Sequence, residues 1–434
     1  MNRHWWLALQ VFKRLWFRAT LYALIAGLTA ILAIAIGRYI PERLSDMVGA
    51  KAVDAILSII ASSMLAVTTF SLSTLVSATS AAATSGTPRA ISLLLQDRTA
   101  QSALSTFLGA FLFSLIGLIA LNTGLYGGGG RLVLFAATII VVLLIVVMLL
   151  RWIDHLAGLG QVSETIRRVS DAVEAPLIAL SEHPYMGANA WAEPPETATA
   201  ITAAEPGYVR HIDLARLQGL AEQFELTIYV RARAGDYCWL GQTLAEVDAP
   251  RGFGHAGDDI VTSIKQVFTI GSQRSYDQDP LFGLTVLSEV ASRALSPGIN
   301  DPGTANDVVI QAGRLLTRLA QSFDAERKVA ENGETAPVDF PRIHMLPISC
   351  TEIVETMFTP IARDGADKIE VVTTMLQILY GLTLAGDPDL AKAAAVMADM
   401  VKHRARESLP HTIDHAILDK AVERLSPPET QPLR

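Results

Sequence analysis

Asp54 to Ser80 reads DAILSIIASSMLAVTTFSLSTLVSATS. After its first residue the stretch carries no charge, and it is long enough to cross a bilayer, which takes about 20 apolar residues. That commits the chain to the class of membrane proteins. Yet hydroxyls crowd the stretch. Ser62, Ala66, Thr69, Ser73, Ser77 and Ser80 recur at spacings of four and three, which places them on one helix face. Ile59, Met64, Leu72, Leu75 and Val76 remain to face lipid or neighbouring helices. A stripe of small hydroxylated residues packs against other helices, the usual use of small residues in membranes, or it lines a wet path. On both readings the oxygens are expected to look toward protein or water and not toward acyl chains.

Three further apolar runs share the first third of the chain: about Ala19 to Gly37, Ala103 to Leu121 and Leu132 to Leu150. Arg3, Lys13, Arg14 and Arg18 precede the first, among Trp5, Trp6, Trp16, Phe17 and Tyr22, the pattern of a helix entering at an interface. Ala33-Ile34-Ala35 imitates a signal-peptide cleavage site, but the run is long and more follow, so it reads as an anchor. Gly127 to Gly130 has no strand before it and no Lys-Ser/Thr pair after it, so it reads as an inter-helix turn and not a phosphate loop. Half the chain is hydrophobic, 50%, with only 18% charged residues and a net charge of −8, which gives no reason to expect nucleic acid.

Lys and Arg in the short flanks set the orientation. Arg3, Lys13, Arg14, Arg18, Arg89, Arg98, Arg151, Arg167 and Arg168 on one side outnumber Arg38, Arg43, Lys51 and Arg131 on the other. Both termini, and the bulk of the chain after Arg151, are expected in the cytoplasm. No ionisable residue lies mid-span, which weakens an ion-coupled carrier and leaves a passive pore or a non-conducting anchor. Between the second and third spans, Thr87 can cap a short helix with Pro88 in its first turn. Leu93 to Leu95 would dip into the interface while Arg89 and Arg98 face headgroups. Asp97 beside Arg98 is a simple surface pair or a fixed electrostatic element at the inner mouth of the bundle.

From Ile153 the apolar positions Leu156, Leu159, Val162, Ile166, Val169, Val173, Leu177 and Leu180 hold one helical face running on from the fourth span. That segment, 152–183, is a stalk pairing with copies of itself or a helix lying on its own domain. Pro184 to Thr199 reads as a linker. Ala200 to Ala204, Tyr208 to Ile212, Leu226 to Val230, Tyr237 to Leu240 and Thr243 to Val247 read as short strands, with one amphipathic helix over Leu214 to Phe224. This small β-rich subdomain, 200–250, resembles lipoyl- and biotinyl-type sandwiches, but it lacks the lysine such carriers need. Residues 258–425 read as helical, with Ile264, Val267, Phe268 and Ile270 on one amphipathic piece, a loop from Glu331 to Pro341 and a C-terminal helical bundle. Residues 426–434 form a tail.

In Arg293-Ala294-Leu295-Ser296-Pro297-Gly298-Ile299-Asn300-Asp301-Pro302, Pro297-Gly298 ends one helix, Asp301 caps the next and Pro302 takes its first position. The functional alternative is that Arg293, Ser296, Asn300 and Asp301 converge as a polar pocket or inter-subunit contact. His411-Thr412-Ile413-Asp414-His415 imitates an inverted zinc-peptidase motif, but Asp stands where the catalytic Glu belongs, so a solvated helix start is the better reading. Glu352, Glu355 and Asp364 fit an ordinary helix surface. Cys238 and Cys350 offer no disulfide framework or CxxC metal pattern. The chain is expected to be no enzyme and to hold no cofactor or metal.

FSLSTLVSATS (70–80), PRAISLLLQDRTAQSALSTFLGAFLFSL (88–115) and RALSPGINDPGTA (293–305), with four early spans, resemble the bacterial membrane-protein family called domain of unknown function 2254. The resemblance covers about Leu15 to Leu425 and implies a bacterial inner-membrane location, but it brings no activity and no site residues. The expected fold is a four-span all-α membrane domain, 19–151, behind a basic aromatic flank, 1–18, with a cytosolic α+β region. The expected function is a homo-oligomer whose second spans surround a passive pore for an ion or small solute. Ser62, Thr69, Ser73 and Ser77 would line it, and Phe70 or Leu72 would narrow it by dewetting. The alternative is a non-conducting sensor or scaffold that binds a ligand or a protein partner through its cytosolic region.

Overall fold

A computed structural model describes residues 50–85, 87–90, 97–123, 128–158, 160–249, 257–331 and 338–425, with isolated positions at 93, 252 and between 17 and 32. Among the described residues, three helices are long and apolar enough to cross a membrane: Ala52–Ala81, Arg98–Asn122 and Gly129–Leu156. These are the second, third and fourth expected spans. The first and the aromatic flank lie largely outside the described residues, whereas Gly128 to Gly130 of the expected glycine turn are helical, the start of the helix Gly128–Gly158. The chain divides into a helical unit, the described residues of Leu7–Thr84 and Ile91–Glu164, and a mixed unit that includes Ser85–Ala90 and Thr165–Arg434.

In the helical unit, α1 (Ala50–Ser85), α2 (Arg98–Asn122) and α3 (Gly128–Gly158) pack together. The centre is α2: 56% of its span is buried, against 22% for α1 and 17% for α3. Small residues make that possible. A Cβ on Gly117 would come within 3.2 Å of Leu57 and 3.5 Å of Leu134, so the helices meet closely at this glycine. Val53, Leu57, Ile60, Met64, Ser71 and Leu75 form the buried face of α1. Their spacing by threes, fours and sevens is one helix face. Phe107, Phe113, Leu134, Ile145 and Trp152 fill the space between the helices.

The apolar face after the fourth span does not run on from it unbroken. α3 ends at Gly158, Gly160 adopts a left-handed φ of +85°, and α4 (Val162–Glu182) starts a new helix. Ile166, Val169, Val173 and Leu177 of α4 are buried. Val173 sits where a Cβ on Gly283 would meet it at 2.6 Å, and Ser181 Oγ lies 2.5 Å from Ser322 Oγ. This apolar face is therefore covered by the mixed unit of its own chain.

The mixed unit carries two sheets. Strands β1 (Ala188–Ala190), β2 (Thr199–Thr202), β3 (Gly207–Ile212), β4 (Thr227–Val230), β5 (Tyr237–Cys238), β6 (Thr243–Asp248), β7 (Phe268–Gly271) and β8 (Phe340–Met345) assemble in the orders β1-β8-β4-β6-β2 and β5-β3-β7. The two share one core with α5 (Leu214–Gln223) and α6 (Gly257–Lys265), built on Ile201, Val209, Leu217, Ile228, Ile264 and Ile343. Three strands stand where sequence indicated otherwise. β1 lies inside the expected linker. β7 replaces part of an expected amphipathic helix, because Phe268 to Gly271 pairs antiparallel with β3. β8 begins in the expected loop and runs parallel to both β1 and β4. Helices α7 (Pro280–Ala294), α8 (Pro302–Glu331), α9 (Cys350–Asp364), α10 (Ile369–Thr383), α11 (Pro388–Ser408) and α12 (Thr412–Leu425) complete the unit as the expected helical bundle.

Candidate functional site

Between β4 and β5 the chain turns through Arg233-Ala234-Gly235-Asp236 and walls a polar cavity of about 340 Å³. Tyr208, Tyr237, Arg274, Thr285, Glu352 and Thr356 line it from β3, β5, α7 and α9 and from the segment before α7. Arg233 holds α9 against the turn. Its Nη2 and Nη1 donate to Glu352 at 2.7 and 2.9 Å, Nη1 also donates to the Pro347 carbonyl, and its backbone N donates to Asp236 at 2.7 Å. Hydrogen bonding to Glu352 raises the Arg233 pKa beyond its ordinary value, so the guanidinium stays charged.

A second fork stands beside the first. Arg274 donates from Nε and Nη2 to the two oxygens of Asp279 at 2.7 and 2.8 Å. Asp279 also caps α7 by accepting from Phe282 N at 3.0 Å, with Pro280 in the first turn. Burial raises the Asp279 pKa, and the Arg274 hydrogen bonds pull against that rise. Gly235 makes room for this carboxylate. It sits at φ +98°, and a Cβ there would lie 2.3 Å from Asp279 Oδ2. Only glycine satisfies both the turn and the approach.

Thr285 of α7 lines the cavity, and one helical turn further Glu289 holds the segment between the α1 and α2 spans. Thr87 Oγ1 donates to Glu289 Oε2 at 2.8 Å, and Arg89 pairs with Glu289 Oε1. Tyr276 Oη donates to the Arg89 carbonyl at 3.4 Å. Burial raises the Tyr276 phenol well above its ordinary range, and neighbouring Glu289 adds to the rise. Thr87 opens the short helix Pro88–Ala90, as its place before Pro88 predicted. Its hydroxyl is shared with α7, and Arg89, expected at headgroups, meets a carboxylate.

The expected pore residues lie elsewhere. Ser62, Thr69, Ser73 and Ser77 are all exposed on α1, as are the gate candidates Phe70 (66%) and Leu72 (47%). Within one copy of the chain the stripe faces away from the bundle, and aliphatic groups fill the interior. Ser62 donates to the Ser58 carbonyl at 2.9 Å and Thr69 to the Leu65 carbonyl at 2.9 Å. Among the described residues of the three spans, Ser71, Ser105, Ser114 and Thr138 do face inward, fully buried.

Asp97 is buried, caps α2 by accepting from Ala100 N at 2.7 Å, and stands 3.2 Å from His155 Nε2, while Arg98 is exposed. In the turn after α7, Ser296 donates to the Arg293 carbonyl. Asn300 takes a φ of +49°, and Asp301 accepts from Thr304 N and Oγ1 at 3.0 and 2.7 Å. Ser296 and Asp301 thus make the local bonds a helix-turn-helix needs, and none of the four lines the cavity above. His415 Nε2 lies 3.1 Å from the Leu409 carbonyl, and among the described residues no three His, Cys, Asp or Glu gather as a metal set. Burial lifts the thiols, Cys238 to about 11 and Cys350 to about 12. Arg233, Arg274, Asp279 and Glu289 escaped sequence reading. Asp279-Pro280, a cap followed by proline, was the one local signal for any of them.

The family described as "Predicted membrane protein (DUF2254)" matches residues 13–380. An uncharacterized protein of Mycobacterium bovis is 27% identical over 239 residues, 53% of this chain and 44% of that protein. An uncharacterized protein of Mycobacterium tuberculosis matches to the same extent. The matched stretch thus spans less than half the length of these relatives. No solved structure matches the chain.

Proposed function

The chain belongs to the DUF2254 family of predicted membrane proteins, and from that premise we propose that it is a non-catalytic membrane sensor of a small polar solute. The solute occupies the cavity at Arg233 and Arg274, and carries a carboxylate or phosphate able to compete with Glu352 for the Arg233 fork. One observation carries the reading. Helix α7 presents Thr285 to the cavity and, one turn on, Glu289 to Thr87 and Arg89 of the inter-span segment. Occupancy that shifts α7 therefore acts directly on the backbone joining two spans. The excess of Lys and Arg in the flanks supports a cytoplasmic side for the mixed unit at a bacterial inner membrane, and the exposed face of α1 is where a second copy would pack.

The test is trypsin cleavage after Arg89 in proteoliposomes. Glu289→Gln frees the segment and speeds cleavage. Citrate or inorganic phosphate at millimolar concentration changes the wild-type rate and leaves the Glu289→Gln rate alone. A wild-type rate unmoved by both probes overturns the anionic-solute reading.

A second reading, the homo-oligomeric passive pore, draws on the exposure of Ser62, Thr69, Ser73 and Ser77 along one face of α1. Cysteines placed at these positions would react with aqueous reagents if the faces of several copies enclosed water. Uniform protection, with silence in single-channel recording, removes that reading.

A further inference from the structure

Trp239 and Leu240 are 66% and 71% exposed, at the turn joining β5 to β6. The turn is built and not loose. Gln242 accepts from Trp239 N through its side chain at 3.1 Å and donates its own backbone N to the Trp239 carbonyl at 3.1 Å. Gly241 N donates to the Ala203 carbonyl at 3.0 Å. Exposing a tryptophan and a leucine together on a rigid tip costs hydrophobic free energy, unless something apolar receives them.

The neighbours of the tip say what receives it. Trp239 packs edge-on to Tyr237 at 5.1 Å, and Tyr237 packs edge-on to Tyr208 at 5.1 Å. Tyr208 pairs across the sheet with Gly271 of β7, and Tyr276, shortly after β7, donates to the Arg89 carbonyl. Tyr208 and Tyr276 also contribute to holding Arg89 charged. Arg89 is tied through the chain to two spans, one ending at Ala81 and one starting at Arg98. The reach of a few residues keeps it close to the bilayer surface. A row of Tyr208, Tyr237 and Trp239 starting beside such an arginine has the make-up of an interfacial belt, in which aromatic rings sit at headgroup depth with cations on the wet side.

We infer that the Trp239–Leu240 turn is a membrane-interface anchor of the mixed unit, seated in the headgroup and upper acyl region of the bilayer that the spans cross. This anchor does not depend on the sensor reading, because it needs neither the cavity nor a solute. It makes β5 and the Tyr208 wall of the cavity lipid-facing at one end.

The test uses the full chain in phosphatidylethanolamine–phosphatidylglycerol vesicles whose acyl chains are brominated near the headgroup. The fluorescence component lost in Trp239→Phe isolates this residue from the other five tryptophans. Trp239 lies at an exposed tip, so the variant keeps the fold, and near-ultraviolet circular dichroism checks it. The expected result is that brominated lipid quenches this component more than aqueous acrylamide does, with emission shifted to the blue. Stronger quenching by acrylamide places the ring in water and overturns the inference. Insensitivity to both quenchers means that protein, a second copy or another part of the chain, covers the tip, and overturns it as well.

Discussion

On α1, Ser62 and Thr69 each return a hydrogen bond to the carbonyl four residues back, so the polar oxygen is satisfied within its own turn. In the mixed unit, Arg233 reaches Glu352 across 119 positions and Arg89 reaches Glu289 across 200. In the helical unit the Ser62 and Thr69 hydroxyls are met within their own turns, since an unmet hydroxyl facing lipid is costly, whereas the buried Ser71, Ser105 and Ser114 hydroxyls have no hydrogen-bond partner among the described residues. The mixed unit adds charged forks, Arg233–Glu352 between distant elements and Arg274–Asp279 within five residues, whose removal strands a charge. A row of serines in a span is therefore weak evidence for a wet path, since helix geometry alone accounts for it. The Arg233–Glu352 fork walling a cavity is stronger evidence for a site, because nothing local requires it.

The contrast is sharpest at Asp279. Asp279→Ala removes the Arg274 partner and the α7 cap together, and leaves a guanidinium only 21% exposed without a counter-charge. The expected loss is about 3–5 kcal/mol, read as a fall in the melting temperature of the mixed unit. Asp279→Asn keeps an acceptor for Phe282 N and should lose less. Equal losses would mean that the charge contributes nothing and that the fork resembles the local bonds of α1.

Gly235→Ala comes next. The left-handed φ and the 2.3 Å approach to Asp279 both oppose a Cβ. The strain is expected to cost about 1–3 kcal/mol, and relief would push Asp279 away from Arg274. Combined with Asp279→Ala, the loss should be less than additive, because the neighbour that Cβ would strike has gone.

How far such features can be read from sequence follows the same division. The three described spans were legible, since length and lack of charge are properties of one stretch. So was the turn at Ser296 to Pro302, since caps and prolines act on their neighbours. β7 was not legible. Phe268 and Ile270 suit a helix face as well as a strand, and only β3, far upstream, decides between them. β1 and β8 exist because they pair with each other and with β4. The cavity escaped for the same reason: its arginines and carboxylates are unremarkable singly and meet only in the fold.

Asp301 gives a smaller effect with a defined pH window. Hydrogen bonds from Thr304 hold its carboxyl below the usual carboxylate range. The unfolded chain therefore takes up its proton first as pH falls. The stabilisation from Asp301 is present above the unfolded value near 3.8 and fades as pH drops through the lower folded value. Asp301→Ala should cost about 1 kcal/mol at neutral pH. The gap between wild type and variant should close in acid, whereas a constant gap would assign the cap to backbone geometry alone.

The smallest expected effect tests the other side of the comparison. Ser62, Thr69, Ser73 and Ser77 are exposed on α1, and the Ser62 and Thr69 hydroxyls bond to their own helix, so alanine there removes no long-range contact. Each substitution should change stability in detergent by under about 0.5 kcal/mol. The informative measurement is assembly in vesicles, by crosslinking or mass photometry after extraction. Alanine retains the small size that lets helices approach, whereas leucine at Ser73 does not. If α1 faces another copy, Ser73→Leu breaks the assembly and Ser73→Ala spares it. If the face meets only lipid, both variants behave as wild type, because neither the alanine nor the leucine then meets a neighbouring helix.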